Sequence, residues 1–135
     1  MTIFPLSKET ELGRKPLNRR ILENLTELIN KMKILFAGSP KSSAKILNSM
    51  TNAGLEIIGV ISQPDKRSKR GRGKEASSVA TEALKLGIPT FKPTKLDDLF
   101  KQEISQLNFD FLVVSAYGKI LPEWMLDAPN IAPIN

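Results

Sequence analysis

The sequence has no cysteine and no histidine, and only one tryptophan and one tyrosine among its 135 residues. Without cysteine there are no disulfides, no thiolate nucleophile and no sulfur-ligated metal site, which fits a reducing compartment and an expected cytoplasmic location. Without histidine, the usual proton carrier near neutral pH and the commonest metal ligand are both missing, so no metal site is expected. No apolar run approaches the roughly 20 residues that span a bilayer, and no membrane partner is expected. What remains is ordinary for a globular protein: 41% hydrophobic and 25% charged residues.

The net charge is +6, and it is concentrated in one place. Between Lys66 and Lys74 the run KRSKRGRGK holds six basic residues and no acidic one. Removing those six from the 20 lysines and arginines leaves 14, against 14 aspartates and glutamates. A basic interaction surface is therefore local to this loop and not a property of the whole fold.

Two regions are expected. Residues 1–31 form an amino-terminal extension. Its first 15 residues show no sustained period, and Pro16 then opens LNRRILENLTELINKM. Leu17, Ile21, Leu25, Leu28 and Ile29 fall at helical spacing there, with Glu23, Glu27, Arg19, Arg20 and Lys31 on the other face. The acidic residues argue against a mitochondrial presequence. The simplest reading is an accessory helix or an upstream extension, with Met32 as a candidate start.

From residue 32 to 135 the pattern alternates strand and helix. Lys33–Ala37 reads as a buried strand ending in Gly38-Ser39-Pro40. Ser42 or Ser43 is expected to cap a helix whose inner face carries Ala44, Ile46, Leu47 and Met50, with Gly54 ending it. Leu55–Ile61 is a second strand, followed by the Ser62-Gln63-Pro64-Asp65 turn and the basic loop. A helix over 77–86 stops at Gly87. Ile88–Phe91 is a short third strand whose proline suits an outer position. Asp97 or Asp98 opens a helix to Leu107, and FDFLVVS over 109–115 is a fourth strand. A helical turn over 122–126 and a strand beginning at Asn130 complete the pattern.

This predicts an α/β domain: a Rossmann-like, doubly wound parallel sheet that ends after the start of its fifth strand, leaving an unpaired apolar edge. In the common order, strands three, two and one lie to one side and strand four beyond strand one. Ligands then bind where the order reverses, at the carboxyl ends. Gly38-Ser39-Pro40 and Ala116-Tyr117-Gly118-Lys119 would flank that crevice, with Asn135 brought towards its edge.

Several motifs fail or stay open. FAGSPKSSA contains only Gly38 where a dinucleotide fingerprint needs three glycines, and no second glycine precedes the lysine of a P-loop. The Lys66–Lys74 loop reads either as a solvated charge run or as a phosphate-holding loop. Gly71 and Gly73 would let backbone approach a phosphate, and Arg72 would offer a planar fork. Without aromatic residues it would hold a backbone and not stack bases. The segment over 113–122 reads either as a strand end and turn, or as a wall for a flat heteroaromatic ligand held by backbone groups.

With these pieces in order, the sequence resembles the amino-terminal part of the methionyl-tRNA formyltransferase family. The matching segments are ILFAGSP, GVISQPD, GRGK, LGIPTFKPTKL, DFLVVSAYGKILP and LDAPNIAPIN, in that order from Met32 to Asn135. The resemblance implies transfer of a formyl group from 10-formyltetrahydrofolate to the amino group of methionyl-initiator tRNA, with no metal. It implies that Lys66, Arg67, Lys69, Arg70, Arg72 and Lys74 contact the tRNA. Ala116, Tyr117, Gly118, Lys119, Ile120, Leu121 and Pro122 would line the folate pocket, and Gly38, Ser39 and Pro40 a substrate-pocket loop. Asn135 matches the catalytic asparagine, whose amide stabilises an oxyanion.

The family's later histidine and aspartate are not among these residues. The resemblance therefore implies that the 135 residues alone do not turn over, and that a complete enzyme is a monomer. At Lys41-Ser42 the family usually has an acidic and an aromatic residue. Two other readings compete: a non-catalytic nucleic-acid-binding module using the basic loop, and a formyltransferase with a different amine acceptor such as a nucleotide or sugar nucleotide.

Overall fold

The computed structural model describes residues 18–68, 71 and 73–135. The elements in chain order are α1 (Arg19–Asn30), β1 (Lys33–Gly38), α2 (Lys41–Asn52), β2 (Glu56–Ile61), β3 (Lys66–Arg67) and β4 (Lys74–Glu75). They continue with α3 (Ser78–Leu86), β5 (Thr90–Phe91), α4 (Asp98–Ser105), β6 (Phe111–Ser115), α5 (Glu123–Asp127) and β7 (Ala132–Ile134).

Five strands form one parallel sheet in the order β5-β2-β1-β6-β7, the doubly wound order that the alternation of strands and helices implies. β1 lies at the centre, with Leu35, Phe36 and Ala37 fully enclosed. A strand with both faces covered must be apolar throughout, which is why its sequence shows no alternation. Two clusters fill the faces. One packs Leu35, Ile61, Phe100, Ile104 and Leu112; the other packs Phe36, Leu47, Val60, Val79 and Ala83.

The helix ends show where local signals decide. Ser77 caps α3 by accepting from Ala80 N at 3.0 Å, and Gly87 closes it at φ 71, a conformation that favours glycine. Asp97 caps α4 by accepting from Phe100 N at 3.2 Å.

At α2 the expected serine cap is corrected. Pro40 occupies the cap position with no side-chain hydrogen bond, and Ser43 turns inward to the sheet. Ile46 is 44% exposed, because the inner face runs through Ser43, Ala44 and Leu47.

The amphipathic α1 forms as its spacing predicts, yet none of its residues is buried. The expected basic loop contains a short antiparallel pair instead of simple coil. Lys66 faces Glu75 and Arg67 faces Lys74, and the turn is held by Ser68 N donating to Gly73 O at 2.9 Å. Lys69, Arg70 and Arg72 lie outside the described residues.

Candidate functional site: the crevice at the carboxyl ends of the strands

A crevice of about 760 Å³ opens where β1, β2 and β6 end, within the roughly 300–1,000 Å³ typical of small-molecule sites. Ser39-Pro40 after β1, Gln63-Pro64 after β2 and Ala116 to Lys119 after β6 wall it, with Lys66 and Glu75 of the hairpin stem on one side.

The floor is a hydroxyl network. Ser39 Oγ donates to Tyr117 O at 3.1 Å and accepts from Gln63 N at 3.3 Å. Gln63 Nε2 donates to the same Tyr117 carbonyl at 3.0 Å. Ser62 is fully buried, and its Oγ lies within hydrogen-bond distance of both Ser39 Oγ and Ser77 Oγ. The loops after β1, β2 and β6 and the start of α3 are thus tied into one unit. A satisfied polar network of this kind holds the backbone of the three loops in one geometry.

Behind the floor, β1 and β6 approach closely. A Cβ on Gly38 would lie 2.6 Å from Ser115 O, so only glycine fits. Ser43 Oγ fills the adjoining space, 2.6 Å from Ser115 O and 2.9 Å from Ser115 Oγ. The chain then leaves β6 through Ala116 at φ 48, a left-handed conformation rare for a residue with a side chain. Such strain tends to mark functional sites.

The sequence-predicted residues divide cleanly. Ser39, Pro40, Lys66, Ala116, Tyr117, Gly118 and Lys119 come together around the crevice. Gly38 supports it from behind.

The Tyr117 ring does not face the crevice. It is 1% exposed and packed in the core, and burial pushes its phenol above the ordinary 10.0. Its hydroxyl has no hydrogen-bond partner. The residue contributes its carbonyl instead.

Lys119 donates to Thr94 O. Ile120 is 96% exposed, while Leu121 packs against the core and Pro122 caps α5. Asn135 follows β7, is exposed, and is not among the residues that wall the crevice. Sequence reasoning missed Ser62, Gln63 and Ser77 as floor residues; the position of SQPD directly after a sheet strand was the available signal.

Among the described residues no group of three or more metal-ligating side chains occurs, and no helix is long and apolar enough to cross a membrane.

An open parallel sheet with a crevice at its strand-order reversal defines a Rossmann-like α/β domain. The particular family is equally plain: residues 31–135 match the formyl transferase family model, and the chain belongs to that family. It is 41% identical over 105 residues to a methionyl-tRNA formyltransferase of Marinobacter nauticus, covering 77% of this chain and 34% of that protein. It is 42% identical over 106 residues to a methionyl-tRNA formyltransferase of Sulfurihydrogenibium, with the same coverage. The chain therefore spans about a third of the length of the curated relatives it matches.

Proposed function

We propose that this chain supplies the donor-holding and tRNA-holding part of a methionyl-tRNA formyltransferase. In this reading the crevice takes 10-formyltetrahydrofolate, and the hairpin at Lys66–Lys74 grips the acceptor arm of initiator methionyl-tRNA. The observation that carries it is the meeting of two features at one place: the tied floor of Ser39, Gln63 and Tyr117 O, and the hairpin stem, whose Lys66 and Glu75 border the same crevice and whose Arg67 and Lys74 add positive charge beside it. The crevice's volume and its backbone-rich wall over 116–118 suit a flat heteroaromatic ligand.

The transfer forms a bond from the methionine amine to the formyl carbon, breaks the bond from that carbon to the folate nitrogen, and passes one amine proton, in net, to that leaving nitrogen. By the family resemblance alone, and not from its place outside the crevice walls, Asn135 is assigned the amide hydrogen bond to the oxygen that gains negative charge at the formyl carbon. The amine proton needs a carrier, and the 135 residues hold no histidine. The chain by itself is thus expected to bind both ligands without turning over.

Equilibrium titration of the purified chain with a formyl-tetrahydrofolate and with initiator tRNA tests this reading. Saturable binding of both is expected, with no formyl-methionyl product. Binding of neither overturns the proposal, and product formation overturns the claim that turnover is absent.

A further inference from the structure

A second groove, of about 730 Å³, runs between the outer faces of α2 and α3. It shares Glu75, Ala76 and Ser78 with the crevice, so the two adjoin beside the hairpin stem. Its cations are Lys41 and Lys45 on α2 and Lys85 on α3. All three are exposed. Among the described residues the one ion pair is Lys92 with Asp65, so none of these lysines is matched by a carboxylate.

Glu75 and Glu82 also line the groove, so its three lysines leave a net charge of +1, and Glu82 Oε1 accepts from Asn48 Nδ2 at 2.8 Å. No aromatic residue lines the groove, and its apolar contribution is limited to Ala44, Ala76 and the stems of longer side chains. The groove attracts an extended polyanion, because exposed lysine ammonium groups act as point charges for phosphates.

Lys41 and Lys45 are one helical turn apart, a rise of about 6 Å, comparable with the separation of successive phosphates along a nucleic-acid strand. Hairpin residues Lys66, Arg67 and Lys74 extend the positive surface towards the crevice.

We infer that the α2–α3 groove is a second RNA-backbone track, in which Lys41, Lys45 and Lys85 hold phosphates of the same RNA that the hairpin engages. This rests on the proposed tRNA reading and deepens it: the RNA passes along the groove and delivers its end into the adjoining crevice. An acidic protein segment is the competing occupant. The groove's continuity with the hairpin and the lysine spacing on one helix face favour RNA.

The test compares initiator-tRNA binding by the full chain, a groove variant (Lys41→Ala, Lys45→Ala, Lys85→Ala) and a hairpin variant (Lys66→Ala, Arg67→Ala, Lys74→Ala) across a salt series. All substituted groups are exposed, and unchanged thermal melts confirm folding. The groove variant is expected to bind about tenfold more weakly at low salt. The slope of log affinity against log salt should fall by about 2, from roughly 0.7–0.9 per phosphate contact. A groove variant that binds like the parent while the hairpin variant loses binding overturns the inference and leaves the tRNA reading standing. The parent chain binding no RNA overturns both. Displacement of the RNA by poly-glutamate at matched charge, equal to displacement by competitor RNA, overturns the assignment in favour of an acidic protein partner.

Discussion

Ser39 Oγ donates to Tyr117 O at 3.1 Å across 78 residues of chain, and this bond joins the turn after the central strand to the turn after its neighbour. Tyr117 thereby serves two environments. Its carbonyl belongs to the polar floor of the crevice, while its ring belongs to the core beneath Phe100, Leu112 and Met125. The crevice geometry is thus anchored by hydrophobic packing, and the left-handed Ala116 is the joint that lets the chain do both.

The buried Tyr117 hydroxyl makes no hydrogen bond, and an unpaired buried polar group costs on the order of 1–3 kcal/mol. Tyr117→Phe is therefore expected to raise stability by about 1 kcal/mol, and Tyr117→Ala to lower it by about 3–5 kcal/mol. Urea unfolding of the two variants checks both signs. A less stable phenylalanine variant would show that the hydroxyl is satisfied in solution.

Gly38→Ala would place a methyl group 2.6 Å from Ser115 O, a backbone atom that yields only if β1 and β6 separate. The expected loss is about 1–3 kcal/mol, accompanied, if the crevice holds the folate as proposed, by weaker binding of it, because Ser39 moves with the strand end. Denaturation midpoints and a ligand titration read the two effects, and an unchanged midpoint would contradict the close approach.

Asp110 ties the opposite end of the sheet. The Lys33 N–H donates to its Oδ2 at 2.9 Å, and Asn130 donates to its Oδ1 at 3.2 Å. The backbone bond first, then the Asn130 bond and the Lys33 charge, hold the carboxyl below its ordinary 3.8. A depressed carboxyl pKa contributes stability that is present above the unfolded value and lost as pH falls through the folded one. The parent chain should therefore lose stability as the pH drops below about 4, and Asp110→Asn should flatten that acid limb while leaving the shape near neutrality unchanged. Thermal melts across the acid range decide it; identical acid limbs in both proteins would remove Asp110 from the account.

Much of the fold was legible in the sequence because its signals are local. Ser77 and Gly87 bracket α3 by cap chemistry. Pro89 beside a two-residue strand marks β5 as an edge. The uninterrupted apolar runs of β1 and β6 mark the interior of a parallel sheet, and right-handed crossovers then give the order.

What was not legible depends on partners far along the chain. Ser43 looks like a cap by type, yet its hydroxyl bonds Ser115 O, 72 residues away, and Pro40 takes the cap position. The inward packing of the Tyr117 ring was not legible, because position in a turn says nothing about which way a side chain packs. Ser62 and Gln63 gave no signal by type, since serine and glutamine after a strand are ordinary turn residues. Only the closing of β1, β2 and β6 around one point makes them a floor.

The most direct test of the central claim is amide chemical-shift mapping of the ¹⁵N-labelled chain during titration with a formyl-tetrahydrofolate. The account predicts saturable shifts at Ser39, Gln63 and Ala116 to Lys119, at the carboxyl ends of the strands. Shifts clustered around Asp110 and Asn130 at the opposite end, or no saturable shifts at all, would contradict it.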